Sequence, residues 1–172
     1  VRRIAPYVPG KPVEELALDG EDLRAPDWRK DEVAPEVPFT VAIVGAGMSG
    51  ILAGHRLGQA GVPYVILEKN ADVGGTWLEN TYPGCRVDNP NHNYSYSFAQ
   101  TSDWPGYYST QPVLLEYFRT CAEQLGLREH TRFDTEVVRA DWDDDAQVWR
   151  VRTRDADGEE RVDEFHALVS AV

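Results

Sequence analysis

Gly45, Gly47 and Gly50 punctuate the run VAIVGAGMSG at residues 41–50. Residues of this type at this spacing suit the grip of a dinucleotide pyrophosphate. Gly45 allows a tight turn, Gly47 lets backbone approach the phosphates, and Gly50 lets a following helix pack closely on the strand before it. The amino end of that helix, opening near Ser49, offers unpaired N–H groups and the positive end of the helix dipole. Glu68 ends the next apolar run, VPYVILE (62–68). A carboxylate there can accept hydrogen bonds from both hydroxyls of an adenosine ribose. A 2′-phosphate would meet like charge, so this first site takes FAD or NAD rather than NADP. The bland alternatives are a plain glycine turn and a surface glutamate at a strand end, and the two motifs together argue against both.

These residues need a scaffold. TVAIVG (40–45) is short, apolar and rich in β-branched residues, as expected of a strand covered on both faces. A helix from about Ser49 to Ala60 and a second parallel strand at 62–68 complete a βαβ unit. Gly54 and Gly58 extend a small-residue face along the helix, where each costs ~1 kcal/mol of helix propensity, so close packing is their expected return. Residues 69–108 are turn-rich and aromatic, a longer excursion than connection alone requires. In it Tyr94, Tyr96 and Phe98 alternate like a half-buried strand, which makes two of the three expected core. A helix follows, with Thr110 as cap, Pro112 in its first turn, and Leu114, Tyr117, Phe118, Cys121 and Leu125 on one face. Gly126 ends it.

TEVVRADW, QVWRVRTR and ERVDEF then predict three antiparallel strands. Asp143, Asp144 and Asp145 stand at the first turn, Asp157 and Gly158 at the second. ALVSAV (167–172) returns as an apolar parallel strand. The fold class is α/β: a Rossmann-like FAD/NAD(P)-binding domain, incomplete, with a βαβ unit in a parallel sheet plus an antiparallel β-meander. Residues 1–38 carry six of the prolines and are expected to form an irregular extension with one helical turn near VEELA, leaving 39–172 as the domain.

Composition excludes several partners. The 172 residues hold 17 Lys and Arg against 29 Asp and Glu, for a net charge of −12. Such a chain is repelled by nucleic acid and by anionic membranes. It has no long apolar run or signal-peptide pattern. Cys85, in a loop, and Cys121, on a helix, give no disulfide framework, so a reduced cytoplasmic chain is expected. Cys85 with His92 makes a poor metal site because no second pair follows. The aspartates of the first hairpin read as a solvated turn, lacking the alternation and glycine of a calcium loop.

Gly74 and Gly75 discriminate between the dinucleotides. After its acidic residue the chain meets a second glycine pair instead of another helix, which resembles the two-dinucleotide-binding flavoproteins. The next residues narrow the resemblance. GGTWLENTYPGCRVDNPNHNYSYSF (74–98), followed by WPGYYSTQPVLLEYF (104–118), closely resembles the start of Baeyer–Villiger monooxygenases, and among them the 4-hydroxyacetophenone monooxygenase type, which carries an extension before its glycine motif. The resemblance runs over roughly residues 24–172. It implies an enzyme that uses FAD and NADPH to insert one oxygen atom of O₂ into a small ketone, giving an ester or lactone. Flavin-containing monooxygenases that oxidise nitrogen or sulfur share the glycine pair and tryptophan. YPGCRVD and NYSYSF favour the ketone-oxidising group. A non-catalytic flavin-binding module is the rival from another class.

Carried over position by position, the resemblance implies FAD contacts at Ser49, Glu68, Thr76, Trp77, Leu78, Glu79, Asp88 and Tyr94, and at the backbone of Val137. Gly45, Gly47, Gly50 and Gly75 join them through the glycine chemistry above. Arg86, Val87 and Asp88 fall where the family also meets NADPH. Arg86 offers a planar fork suited to phosphate or carboxylate. Asp88 carries the single catalytic expectation, orienting a cationic side chain near the flavin. The bland reading of Arg86 and Asp88 is a local ion pair. Residues 1–172 show no second glycine motif, no histidine-bearing fingerprint and no C-terminal return of the FAD domain. The chain is therefore expected to be an excised portion that partners the remainder of its enzyme and, alone, binds FAD weakly and leaves NADPH unoxidised.

Overall fold

The computed structural model describes Asp22 and residues 24–172, so the helical turn expected near VEELA lies outside the described residues. Strand β1 (Val41–Val44) runs into helix α2 (Met48–Gln59), and strand β2 (Tyr64–Leu67) returns parallel to β1, in register Val41 with Tyr64. A short helix, α1 (Lys30–Val33), precedes them, where an irregular extension was expected. β7 (Ala167–Ser170) pairs with the other edge of β1, and the two-residue β3 (Thr131–Arg132), absent from the sequence reading, pairs with β2. The result is a parallel sheet in the order β3-β2-β1-β7. A second sheet holds the meander β4 (Thr135–Asp143), β5 (Val148–Asp155) and β6 (Glu160–Phe165), antiparallel throughout.

Alternation in the strands explains how the layers stack. Val41, Ile43 and Ile66 face a core shared with α2 and with α4 (Gln111–Gln124). Ala42 and Leu67 face the opposite way, onto Val151 and Phe165 of the meander. The central strand is therefore covered on both faces, as its unbroken apolar run demands. The outer face of the meander is a lattice of Arg–Asp and Arg–Glu pairs, a solvated surface in which the hairpin aspartates belong to turns.

α4 starts and stops where expected, with Gly126 left-handed just after it at φ 66°. Thr110 holds the N-cap position, but its side chain makes no capping hydrogen bond. Tyr94, Tyr96 and Phe98 form turns and bends rather than the expected strand. Tyr96 and Phe98 are nevertheless buried core, stacked at 5.0 Å. Two side chains fix this excursion. The Tyr117 hydroxyl accepts from Tyr96 N–H at 2.8 Å and donates to the Ala99 carbonyl at 2.9 Å. Buried Asn91 accepts from Ser109 N–H at 2.8 Å and donates to the Gly106 carbonyl at 2.6 Å. Burial pushes the Tyr96 and Tyr117 hydroxyls up, so both stay neutral donors. The segment before β1 lies against the end of α2: Lys30 N–H donates to the Ala60 carbonyl at 2.8 Å, and Arg56 Nη2 to Asp22 at 3.1 Å.

The α2 glycines divide by the space around them. A Cβ on Gly50 would fall 1.9 Å from the Gly45 carbonyl oxygen, and one on Gly54 would meet Ile66 at 3.0 Å and Tyr64 at 3.2 Å. On Gly58 the nearest atom would stand at 3.7 Å, ordinary contact, so close packing does not account for Gly58. Gly50→Ala is therefore expected to destabilise the protein by about 1–3 kcal/mol through overpacking. Gly58→Ala is expected to stabilise it by roughly 0.5–1 kcal/mol through helix propensity. Denaturant midpoints of the two variants measure both, and equal shifts would contradict this geometry.

Candidate functional site

A cleft of about 440 Å³ opens at the carboxyl ends of β1 and β2, facing the amino end of α2. That volume falls within the roughly 300–1,000 Å³ of small-molecule sites. Gly45 turns the chain out of β1 at φ 97°, and Gly47 caps α2, whose first turn carries no acidic residue. The first turn of α2 thus brings its amides to the cleft with no acid of its own.

Glu68 supplies the opposite pole. It is 3% exposed at the end of β2. Its Oε2 accepts from Ala46 N–H at 2.6 Å and its Oε1 from Asn70 N–H at 2.8 Å. Two backbone donors thus hold the carboxylate still, and each oxygen keeps a further lone pair for a ligand hydroxyl. One of those donors belongs to the glycine turn, so the acidic residue also ties that turn to β2.

The second glycine pair does more than approach a ligand. Gly74 N–H donates to the Ala46 carbonyl at 3.0 Å, and a Cβ on Gly75 would fall 2.9 Å from Gly47 Cα. The two glycine turns pack backbone on backbone. Gly74 and Gly75 have φ of 130° and 51°, conformations open to glycine.

Helix α3 (Thr76–Glu79) continues from this contact along the cleft wall. Trp77 is buried, and its Nε1 donates to the Tyr94 hydroxyl at 3.2 Å, while the Gln111 side-chain amide donates to the Trp77 carbonyl. Glu79 is held by Lys69 at 2.9 Å and by the Asn70 side chain at 3.0 Å. The Lys69 hydrogen bond, with help from Asn70, lowers the Glu79 carboxyl below its ordinary range, and Glu79 in turn raises Lys69. Both are well exposed, so the pair orients more than it stabilises.

Of the residues singled out in the sequence, Gly45, Gly47, Ser49, Glu68, Gly75, Thr76, Trp77, Glu79, Tyr94 and Val137 line this one cleft. Gly50 lies behind its wall, and Leu78 packs against the core instead of the cleft. Arg86, Val87 and Asp88 are not brought to the cleft lining. Val87 is buried, with its N–H on the Ser109 carbonyl at 3.0 Å, while Arg86 and Asp88 are exposed and form no ion pair with each other among the described residues. Met48, Lys69, Asn70, Thr135 and Glu136 also line the cleft and escaped the sequence reading. Asn70 had a usable signal, two residues past the acidic strand end, where its amide folds back on Glu68. No group of three potential metal ligands occurs among the described residues. Cys85 and Cys121 are free and buried, and burial pushes the Cys121 thiol up to about 12.

The fold and cleft define a dinucleotide-binding Rossmann-like domain, and a protein-family profile described as an NAD(P)-binding Rossmann-like domain matches residues 43–109. The relatives are more particular. A Baeyer–Villiger monooxygenase of Streptomyces coelicolor is 44% identical over 114 residues, 66% of this chain and 22% of that protein. The crystal structure of OTEMO in complex with FAD and NADP superposes with a TM-score of 0.71 at 33% identity, over 77% of this chain and 25% of that one. Cyclohexanone monooxygenase with bound ε-caprolactone gives 0.70 at 38% identity, over 78% and 27%. The chain thus spans about a quarter of the length of the proteins it matches, and the resemblance to Baeyer–Villiger monooxygenases holds in both sequence and fold.

The Glu68 bonds predict a local signature. Glu68→Ala leaves Ala46 and Asn70 N–H without acceptors, and a hydrogen bond to a charged group is worth about 1.5–3 kcal/mol. Hydrogen exchange at those two amides is expected to accelerate about tenfold or more, with Ile43 unaffected. Unchanged exchange at Ala46 would contradict the tie between carboxylate and glycine turn.

Proposed function

We propose that this chain is the FAD-binding N-terminal portion of an NADPH-dependent Baeyer–Villiger monooxygenase acting on a small ketone. Buried Glu68, facing the open amino end of α2 across a cleft walled by Gly47 and Gly75, is the observation that carries this reading. The residues fit a dinucleotide: backbone amides of a helix turn without acids of its own for the pyrophosphate, and a fixed carboxylate for the ribose. In this reading Glu68 holds the adenosine ribose, α2 the pyrophosphate, and Val137 touches FAD through its backbone. Thr76, Trp77, Glu79 and Tyr94 lie toward the flavin, while Leu78 backs them from the core.

Bound FAD would supply hydride acceptance from NADPH and activation of O₂. One oxygen atom enters the ketone to give an ester or lactone, and the other leaves as water. The caprolactone-bound neighbour supports the substrate class, since ε-caprolactone is cyclohexanone with one oxygen inserted. Arg86 and Asp88 stand exposed on the excursion, open to NADPH and to the remainder of the enzyme, with Asp88 set to orient a cationic group there. Residues 39–172 make the domain portion and 1–38 its extension. No helix among the described residues is long and apolar enough to cross a membrane. Two buried free cysteines fit a cytoplasmic protein.

The full-length protein should purify with flavin absorbance, consume NADPH with ketones rather than amines or thioethers, and release the ester or lactone. A colourless protein unable to take up FAD overturns the reading. Glu68→Ala is expected to weaken FAD binding by about 1–3 kcal/mol, seen as flavin lost on dilution. Arg86→Ala is expected to keep FAD yet slow anaerobic flavin reduction or raise the NADPH it requires. Normal reduction by that variant removes Arg86 from the nicotinamide site.

A further inference from the structure

Asp72 lies just before the second glycine pair and outside the cleft. Its Oδ2 accepts from Arg119 Nε of α4 at 2.7 Å, and its Oδ1 from Arg128 Nη1 at 2.8 Å and from Val73 N–H at 2.8 Å. Arg128 belongs to the 3₁₀ turn Leu127–His130 that leads into β3, and its guanidinium covers the Phe133 ring at 5.0 Å. Both arginines are partly exposed and also approach glutamates, Glu116 at 4.0 Å and Glu123 at 3.8 Å, pairs too open to hold them strongly. The Asp72 side chain is 24% exposed, the least exposed member of the group. Burial pulls its carboxyl up, and the bonds from Arg128, Val73 and Arg119 outweigh that, leaving it below the ordinary range.

The turn that follows is tightly confined. Val73 is buried, a Cβ on Gly74 would fall 2.5 Å from Leu115 Cδ1 of α4, and Gly75 abuts Gly47. Two consecutive glycines have no side chains of their own to fix them, and they lose the most conformational freedom on ordering. Gly74 N–H bonds the Ala46 carbonyl and the pair's carbonyls open α3, which leaves the approach to the pair to be fixed by the residues before it. We propose that Asp72 is a positioning residue for the dinucleotide site: gripped by Arg119 and Arg128, it anchors the Gly74–Gly75 turn to α4 and presses it onto Gly47. The two glycine turns then meet the ligand as one preorganised surface, and little ordering is left for the binding step. This inference rests on the dinucleotide reading above.

The test uses the full-length apoprotein titrated with FAD by flavin fluorescence, well below its melting temperature. Asp72→Ala is expected to raise the FAD Kd about tenfold, mainly through faster release, the pattern of lost preorganisation. Hydrogen exchange at Gly74, whose N–H bonds the Ala46 carbonyl, should rise in parallel. Asp72→Asn, should the alanine variant fail to fold, and Arg119→Lys are expected to shift the Kd the same way by less. A lowered Tm with wild-type Kd in the Asn and Lys variants would make the clamp merely structural and overturn the inference alone. Wild-type protein that takes up no FAD overturns both this inference and the reading beneath it.

Discussion

The contact on which the site depends contains no side chain. Gly47 and Gly75 meet Cα to backbone, and the Ala46 carbonyl receives Gly74 N–H, so the turn after β1 and the turn after β2 form one body. Any Cβ at Gly75 would have to push that body apart. The consequences run outward from there. α2 must start at Met48 to keep its amides over the cleft, which requires Gly50 to ride against the Gly45 carbonyl. Glu68 must end β2 where it does, because its carboxylate bonds the same turn through Ala46. A dinucleotide grip of this kind is a backbone device, with side chains needed mainly to hold backbone in place.

That division explains what could be read from the sequence. Glycine and strand-end chemistry is local: Gly45, Gly47 and Glu68 announce themselves because turn, close approach and acidic strand end each demand a residue type. The βαβ unit, α4 and the meander were equally legible, since periodicity and turn residues mark them. Tyr94, Tyr96 and Phe98 misled because alternation counts only when neighbours complete a ladder. Here the Tyr117 hydroxyl takes Tyr96 N–H, and the chain curls into turns. β3 was invisible because two residues carry no period, and its pairing with β2 comes from tertiary placement. Thr135 and Glu136 reach the cleft only because the meander folds back beside β2, a fact of topology, whereas Lys69 and Asn70 line it as the continuation of β2 past Glu68.

The excursion shows how a long aromatic segment without regular structure can be rigid. Asn91 and Tyr117 satisfy its backbone from inside, where a strand ladder would otherwise have done so. Tyr96 adds the link that matters for the site, donating its hydroxyl to the Met48 carbonyl at 2.6 Å in the first turn of α2. Through that bond, and through Trp77 to Tyr94, the excursion braces both the helix and the wall of the cleft. Loops of this length in compact domains usually carry function, and here the excursion holds the far side of the cleft.

Charge along the cleft supplies the remaining specificity. The chain carries a net −12, yet the first turn of α2 has no acid, so the helix end stays a place for phosphate. The acids that line the cleft are Glu68 just past β2, Glu79 on α3 and Glu136 on β4, none of them within that first turn. Glu79 is largely spoken for by Lys69 and Asn70. Glu68 sits in a buried setting, where electrostatic interactions are screened less than at the surface. In the proposed reading a dinucleotide lies in one direction, phosphates to the helix and ribose to the carboxylate. In that reading a 2′-phosphorylated ribose meets like charge at the same carboxylate, and NADPH approaches by another face, where Arg86 is exposed.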